Sequence, residues 1–336
     1  MRQTTREPGL SSVSSKQSCV NAQELRRIES KQSKTEADYA NIGCHVNLVD
    51  ENYGDRDVKR IGAESVNGVV FSVPVKGTSS EVVVKVSNRP AEIKKEYDVG
   101  SLVNFLATKC PHFIWTYSLF SCGSPVKIKG DPDGKKYKMC PSESSDDDRR
   151  DHMVIESVRN PKDVSKLIAE SWGRKEFLHC LFQVCHAIYI AQSYFRFVHN
   201  DLHGENVLVV DQPCEIKLEN MGLSIRSPFT CRIIDYGMAT YDLIDPKQKG
   251  VVLMKSNFTD VFRFIWSCEY YADRAKKPEI IDEVVSLVSR LVGVDIGTYK
   301  RSLDGFDRSD KVTVPTSMKT VRDGLAKYIV YNKLNG

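Results

Sequence analysis

The sequence of 336 residues has no Cys-x-x-Cys pair, no internal repeat and no strong excess of charge of either sign. It also lacks any apolar run near the roughly 20 residues that a membrane-spanning helix needs, and its N-terminus lacks the apolar segment of a secretory signal. The net charge of +4 is spread evenly, which predicts neither membrane binding nor specific nucleic-acid binding. We therefore expect a globular intracellular protein of the cytoplasm or nucleus.

Ten cysteines are scattered between Cys19 and Cys268. Since none has the short paired spacing of a zinc site, and an intracellular chain of this size needs no disulfide framework, we expect reduced cysteines that serve as small apolar filler.

Composition changes along the chain predict three segments. Residues 1–56 are polar and indicate a mostly flexible arm, with a possible short helix over residues 22–34. Residues 57–158 contain β-branched runs separated by turn signals, one helix and two further strands. Within them, residues of about 121–150 are charged and rich in glycine and proline, which indicates a disordered insertion or, alternatively, a long surface hairpin. Residues 159–336 are mainly helical, so the order predicts an α+β protein of two lobes with a cleft between them.

Helical periodicity predicts two buried faces. In the first helix the candidate core contacts are Ile93, Tyr97, Leu102 and Phe105. In the long helix of the second half they are Phe177, Leu181, Val184, Ile188 and Ala191.

The stretch HNDLHGENVLV, residues 199–209, places His199, Asp201 and Asn206 in an H-x-D-x-x-x-x-N spacing between a helix and a strand. This spacing resembles the catalytic loop of the protein-kinase-like superfamily. In that family the acid accepts the proton of the substrate hydroxyl and the amide oxygen holds a magnesium ion. A zinc site of His199 and His203 is disfavoured, because Gly204 and the following strand indicate a loop instead of the helix that such a pair needs.

Two further charged residues fit the same family. Asp235, in IIDYG, resembles the magnesium-binding acid of the D-F-G element, with tyrosine in the aromatic place; a plain turn after a strand is the alternative. Lys85, in VVVK, resembles the lysine that contacts the α- and β-phosphates. We expect Glu96 of the next helix to be its ion-pair partner, with Glu92 as the rival.

The remaining elements are weaker. Gly62 and Gly68 resemble a glycine-rich phosphate loop, although an ordinary hairpin at the Asn-Gly signal explains them nearly as well. The strand end at Glu156 and Val158 fits the hinge between kinase lobes. Asp260, at the start of an apolar helix, resembles the buried acid that braces the catalytic-loop backbone, with a helix N-cap as the alternative.

Taken in order, these elements resemble a divergent serine/threonine kinase, similar to haspin-type kinases and to atypical kinases of large DNA viruses, over roughly residues 57–336. The resemblance implies ATP and Mg²⁺ as cofactors, a protein substrate, and possible action of a viral protein in a host cell. It implies catalytic roles for Asp201, Lys85, Glu96 and His203, and magnesium binding by Asn206 and Asp235. The implied nucleotide contacts are Ile61, Gly62, Gly68, Val70, Val83, Lys85, Glu156, Val158 and Leu208.

The sequence departs from regulated kinases at two positions. Asn200 replaces the arginine that binds a phosphorylated activation loop, so we expect activity without such phosphorylation. His203 replaces the lysine that contacts the γ-phosphate, and an imidazole can also donate a hydrogen bond there. A small-molecule phosphotransferase of the aminoglycoside or choline kinase type, and a pseudokinase scaffold, are the alternatives.

Overall fold

The computed structural model describes residues 56–65, 68–75, 81–107, 109–141, 146–242, 258–296 and 317–334. The predicted arm, apart from residue 56, and its possible helix lie outside these ranges.

A seven-stranded sheet forms the N-terminal part of the described chain. Its strands are β1 (Arg56–Ser65), β2 (Gly68–Pro74), β3 (Glu81–Ser87), β4 (Thr116–Gly123), β5 (Val126–Lys127), β6 (Lys136–Met139) and β7 (Arg149–Glu156). They lie in the order β4-β7-β3-β2-β1-β6-β5. The β-branched runs thus form the centre of the sheet.

The two faces of this sheet differ. One face carries a small apolar core of Val58, Phe71, Val73, Val75, Val82, Val84, Val86, Met139 and Val154. Because side chains alternate along a strand, Val83 and Lys85 lie on the other face. Val70 is the register partner of both Ile61 and Lys85, so these residues share the second face.

The described part of the segment 121–150 agrees with the surface hairpin that was the alternative to a disordered insertion. The described part of it forms a hairpin of β5 and β6, and β6 pairs with β1. The carboxylate of Asp131 accepts the backbone N–H groups of Lys135 and Lys136 at 2.6 and 2.9 Å, and Met139 is fully buried. A turn held by an aspartate and one anchoring apolar residue therefore order a segment whose average composition is polar.

Cysteine pairing was predicted wrongly. Cys122 and Cys140 form a disulfide across a sequence separation of 18 residues, which by the loop-entropy model stabilises the fold by roughly 3 kcal/mol. Spacing along the chain could not reveal this pair, because it depends on the insertion hairpin returning to the end of β4. The other described cysteines are free thiols, and all except Cys214 are buried.

Helix α1 (Pro90–Asn104) starts with proline at its first position and buries a different face from the one predicted. Ile93 is buried as expected, but Phe105 is 71% exposed, and the face is completed by Glu96, Val99 and Val103. The correct face includes an acid, which a search for apolar periodicity does not select.

The C-terminal part is helical, and its helices are α2 (Val164–Glu170), α3 (Arg174–Phe195), α4 (Thr259–Arg274), α5 (Glu279–Val292) and α6 (Met318–Tyr331). The predicted face of α3 is confirmed, since Phe177, Leu181, Val184, Ile188 and Ala191 are all fully buried. Two small sheets accompany the helices: β8 (Lys162–Asp163), β9 (Val207–Val210) and β12 (Thr230–Ile233) form one, and β10 (Cys214–Leu218) and β11 (Leu223–Ser227) form the other. The predicted α+β class is confirmed.

No helix within the described ranges is both long and apolar enough to cross a lipid bilayer.

Candidate active site

Three charged side chains meet where the large sheet faces the helical part. Nζ of Lys85, on β3, lies 2.7 Å from Oε2 of Glu96 on α1 and 2.9 Å from Oδ1 of Asp235, which follows β12. Asp235 is 150 residues from Lys85 in sequence. The fold therefore brings together the three charges that the sequence analysis selected separately.

Burial and charge pairing oppose each other in this cluster. Burial disfavours the ammonium of Lys85, but the carboxylates of Glu96 and Asp235 outweigh it, so the pKa of Lys85 is raised. Burial raises the pKa of Glu96 to about 7, although Lys85 and the Tyr236 backbone N–H both favour its carboxylate. Asp235 is also disfavoured as an anion by burial, yet Lys85 brings its pKa below the usual value.

Glu92 does not join this cluster. It forms an exposed ion pair with Arg89, 2.9 Å away, near the start of α1. One helical turn further on, Glu96 lies on the buried face of α1 and points its carboxylate towards Lys85. Its position on that face, more than its distance along the chain, makes it the partner.

Asp260, on the first turn of α4, holds the backbone of the catalytic-loop candidate. Its carboxylate is fully buried and accepts the N–H groups of His199 at 2.7 Å and Asn200 at 2.9 Å. Phe258, and not Asp260, occupies the N-cap position. The predicted bracing role is therefore confirmed and the N-cap alternative is not.

His199 anchors the loop to the strand that leads to Asp235. The imidazole is fully buried, with Nε2 2.9 Å from the carbonyl oxygen of Ile234 and Nδ1 3.4 Å from the backbone N–H of Asp201. These contacts fit an imidazole that donates from Nε2 and accepts at Nδ1. Both ring nitrogens thus have hydrogen-bond partners in the protein, which accounts for this histidine without a metal.

Asp201, His203 and Asn206 lie together on the same loop. The amide nitrogen of Asn206 donates to the carbonyl oxygen of Asp201 at 2.9 Å and to Nε2 of His203 at 3.1 Å. The carboxylate of Asp201 is 39% exposed and lies 3.9 Å from the same His203 nitrogen. Because the amide nitrogen of Asn206 is used within the loop, its oxygen is the atom available to a cation.

The donor set fits a hard divalent cation. Asn206 offers an amide oxygen and Asp235 a carboxylate that is 43% exposed, and Mg²⁺ prefers such oxygen ligands. The backbone N–H of Ile234 donates to the carbonyl oxygen of Asn206 at 3.0 Å. Hence the two candidate magnesium ligands, Asn206 and Asp235, lie on neighbouring segments that are joined by a backbone hydrogen bond.

Tyr236 fixes the segment that carries Asp235. Its ring is buried, and its hydroxyl donates to the carbonyl oxygen of Ile233 at 2.8 Å and accepts the N–H of Ile114 at 3.1 Å. Asp235 itself has a left-handed backbone with φ of 63°, a conformation that non-glycine residues adopt rarely. The tyrosine anchor therefore helps to hold an unusual backbone at the site.

Asn200 connects the loop to the segment after Asp235. Its backbone has φ of 63°, which asparagine tolerates better than most residues. Its side-chain nitrogen donates to the carbonyl oxygen of Met238 and to the hydroxyl of Thr240, both at 3.1 Å. In place of a phosphate-binding arginine, this position thus has a short side chain that holds the following segment directly.

The glycine-containing segment is a hairpin of β1 and β2, with a register irregularity between Ile61 and Ser65. Gly68 has φ of +142°, and a Cβ atom there would lie 2.1 Å from the carbonyl oxygen of Val86 on β3. Close packing of two strands accounts for this glycine. Gly62 lies within β1, and its predicted contact with phosphate stays a prediction.

The predicted hinge begins at Glu156, the last residue of β7, whose side chain is buried. Its backbone N–H donates to the carbonyl oxygen of Trp115 at 2.8 Å, and its carboxylate accepts the Trp115 N–H at 3.3 Å. The guanidinium of Arg232, on β12, lies 3.9 Å from the same carboxylate. The hinge candidate is thereby connected to the strand that leads to Asp235.

The other predicted nucleotide contacts are partly exposed: Ile61, Val70, Val83, Val158 and Leu208. The first three lie on the Lys85 face of the sheet, and Leu208 lies on β9, two residues after Asn206. They therefore offer apolar surface that solvent or a ligand can reach.

Three residues of the site were not selected from the sequence. Arg263 donates to the carbonyl oxygen of Asn200, Ser267 accepts the N–H of Gly204 at 2.8 Å, and the buried Arg232 contacts Glu156. Arg263 and Ser267 stand on the same helix as Asp260, at helical spacing that presents them to one loop. That spacing is the signal that would have identified them once Asp260 was chosen.

Comparison with known sequences finds a distant viral relative. No protein-family model matches the sequence. A viral protein, Probable kinase 098L of Invertebrate iridescent virus 3, is 22% identical over 223 residues, which is 63% of this chain. The chain spans 38% of the length of that viral relative.

Among solved structures, the crystal structure of the Rad53 kinase domain and SCD2 is similar with a TM-score of 0.34 and 16% identity. The similarity covers 55% of this chain and 52% of the other.

Proposed function

We propose that this chain is an ATP- and Mg²⁺-dependent protein kinase that transfers the γ-phosphate to serine or threonine hydroxyls. The observation that carries the proposal is the placement of Lys85 between Glu96 and Asp235, next to a loop braced by Asp260. The sequence match to a probable viral kinase supports it. We also propose that it acts inside a cell, in the cytoplasm or nucleus, where the described cysteines other than the Cys122–Cys140 pair would remain free thiols.

In this proposal each residue has a defined task. Lys85, positioned by Glu96, binds the α- and β-phosphates. Asp201 orients the attacking hydroxyl and accepts its proton, while His203 contacts the γ-phosphate. Asn206 and Asp235 hold magnesium, which when bound neutralises charge on the phosphates.

Adenine would lie between the sheet and β9. Ile61, Val70, Val83 and Leu208 would contact the base, and the backbone of Glu156 and Val158 would meet its polar rim. The N–H of Glu156 is already bonded to Trp115, so we assign its carbonyl oxygen to that contact. The end of β1 from Gly62 and the start of β2 at Gly68 would cover the phosphates.

We further propose that activity does not require phosphorylation of the segment after Asp235. Asn200 already holds this segment by hydrogen bonds to Met238 and Thr240. A neutral amide has no charge with which to attract a phosphate. Phosphatase-treated protein should therefore retain its activity.

The test uses the purified full chain with labelled ATP, Mg²⁺ and a panel of acidic, basic and histone-like proteins. Asp201→Asn should reduce transfer by at least ~100-fold without unfolding the protein, since it removes the proton acceptor. Asp211→Asn, a substitution at an exposed acid beyond β9, is the matched control. Full transfer by folded Asp201→Asn would refute the assignment.

The transfer assay and a thermal-unfolding measurement together distinguish the alternatives. Transfer to aminoglycosides or choline but to none of the proteins would favour a small-molecule phosphotransferase. Magnesium-dependent stabilisation by ATP in thermal unfolding, without transfer to any acceptor, would favour a pseudokinase.

A further inference from the structure

Three side chains with metal-binding atoms converge outside the candidate active site. Cys122 lies near the end of β4, Cys140 directly follows β6, and His152 lies within β7. One ligand atom of each lies within 4.8 Å of the other two. We call these three residues the Cys/His cluster.

The cluster belongs to the opposite face of the sheet from Lys85. His152 is the register partner of Val86, the neighbour of Lys85 on β3. Directly opposed residues point to the same face and successive residues alternate, so His152 lies on the face of the small apolar core. The cluster is therefore separate from the proposed phosphotransfer site.

The imidazole of His152 lies beside the sulfur of Cys122 and has one nitrogen free for a metal. It is fully buried and stacked on Phe120, with ring centroids 5.1 Å apart. Its Nδ1 lies 2.8 Å from the carbonyl oxygen of Arg150, which favours a proton on Nδ1. Nε2 then has its lone pair free. Sγ of Cys122 lies 3.5 Å from Nε2 and 3.7 Å from Nδ1, so a rotation of the ring would direct the Nε2 lone pair to a metal held by the sulfurs. Metal-bound histidines have the same support, with the second nitrogen donating to a carbonyl group.

Two cysteine sulfurs and an imidazole form a donor set that suits zinc, which binds thiolates and histidine in tetrahedral geometry. In the structure the sulfurs are joined as a disulfide. Elsewhere, Cys180 is hydrogen-bonded to Cys231 and both are free thiols. Disulfide formation is thus a property of this pair and not of every close pair of cysteines.

We propose that the Cys/His cluster binds one Zn²⁺ ion when its disulfide is reduced. Two molecules of a small thiol reduce the disulfide, are oxidised to a disulfide themselves, and leave two protein thiols. Zinc then binds both sulfurs and Nε2 of His152, with release of the two thiol protons. Three protein ligands leave the fourth tetrahedral position to water.

Such a site would retain the connection that the disulfide makes. Cys140 is the residue after β6, which pairs with β1, whereas Cys122 and His152 belong to the paired strands β4 and β7. Zinc would hold these parts of the sheet together in a reducing compartment, where disulfides are rare.

The test measures zinc in the full-length protein, independently of phosphotransfer. The chain is reduced, incubated with equimolar Zn²⁺, separated from free metal and assayed for zinc by mass spectrometry. We expect about one zinc per reduced chain and none in the disulfide form. Cobalt in place of zinc should give a thiolate charge-transfer absorption band.

Each of three variants should weaken zinc binding by at least ~100-fold: Cys122→Ser, Cys140→Ser and His152→Gln. Substitution of a residue that only hydrogen-bonds to a metal ligand already weakens binding by ~10–100-fold, and loss of the ligand itself should cost more. Cys214→Ser, which alters a partly exposed thiol outside the cluster, is the matched control and should bind as the parent does. Circular dichroism of the reduced, metal-free proteins monitors their folding.

Two results would overturn the proposal. One is a reduced parent that binds no more zinc than folded Cys122→Ser. The other is a disulfide that excess small thiol does not reduce in the native protein, which would make it a permanent structural link.

Discussion

Lys85 and Asp235 form a direct ion pair, with 2.9 Å between Nζ and Oδ1, although each is also a candidate ligand for a different part of ATP–Mg²⁺. Lys85→Met retains an unbranched side chain like the apolar stem of lysine but removes the ammonium group, and with it the contacts to Asp235 and Glu96. We expect transfer to fall by at least ~100-fold, since positioning and charge stabilisation provide most of the catalysis of phosphoryl transfer.

The measurement is kcat/KM for a protein substrate. Lys162→Met removes a different, exposed ion pair with Glu170 and serves as control. Equal activity of the two variants would contradict the role assigned to Lys85.

The raised pKa of Glu96 predicts a pH dependence. Burial raises this pKa to about 7, so its carboxylate, and with it the ion pair to Lys85, is lost as pH falls through 7. ATP affinity should decrease below that pH in the parent. Glu96→Gln should bind ATP weakly, and its ATP affinity should change less with pH. The titration of the phosphates of ATP affects both proteins equally and cancels in the comparison.

The same shift affects stability with a defined sign. Between pH 4.5, the ordinary pKa, and about 7, the unfolded chain loses the Glu96 proton before the folded chain does. The free energy of unfolding therefore falls in this range as pH rises. Relative to Glu96→Gln, the parent should become less stable from pH 4.5 to 7 in denaturant titrations; a constant difference would disprove the shift.

Removal of the Asp260 carboxylate should loosen the loop that carries Asp201. Asp260→Ala leaves the buried N–H groups of His199 and Asn200 without their acceptor, at about 1–3 kcal/mol for each group. We expect a lower Tm and a lower kcat, with hydrogen exchange of both amides accelerated. Asp282→Ala, which removes an exposed acid from the first turn of α5, should leave kcat and the exchange of these amides unchanged. Unchanged amide exchange in Asp260→Ala would exclude bracing.

Asn200 allows backbone and side-chain effects to be separated. Asn200→Gly tolerates the φ of 63° but removes the hydrogen bonds to Met238 and Thr240, whereas Asn200→Ala also introduces strain. Both should lower kcat, and the alanine variant should be less stable by about 1 kcal/mol. An unaltered kcat in Asn200→Gly would show that the amide does not hold the segment.

Tyr236→Phe tests the anchor behind Asp235. The change removes the hydroxyl that bonds to Ile114 and Ile233. The N–H of Ile114 keeps its other acceptor, the carbonyl oxygen of Ile233 at 3.1 Å, so we expect a loss of about 0.5–1.5 kcal/mol in the free energy of unfolding. Urea titration measures it. A loss below ~0.5 kcal/mol would mean that water or another group replaces the hydroxyl.

Local sequence patterns predicted those elements whose signals are local. Alternating β-branched residues identified β2 and β3, and the 3.6-residue period identified the buried face of α3. Charged residues within familiar short motifs selected Lys85 and Asp235 as candidates, and the start of the next helix then suggested Glu96 as the partner of Lys85. Each of these inferences needs information from only a few neighbouring residues.

The features that escaped prediction depend on distant contacts. The buried face of α1 includes Glu96, because this residue forms an ion pair with Lys85. Phe105, directly after α1, lies off that face and is exposed although it is apolar. Arg232, on β12, is buried where it contacts the carbonyl oxygen of Phe113 and the carboxylate of Glu156 on β7. The Cys122–Cys140 pair depends on the course of an entire hairpin, which no spacing rule describes.

The pairing of β6 with β1 also affects how the protein meets other molecules. Without it, β1 would be an edge strand whose unpaired backbone groups could recruit a strand from another copy, a common start of aggregation. The hairpin moves the edge to β5, which has only two residues and ends in Lys127. The insertion thus adds two strands to the sheet but leaves an edge too short to pair readily with another copy. Its removal should make the protein prone to self-association.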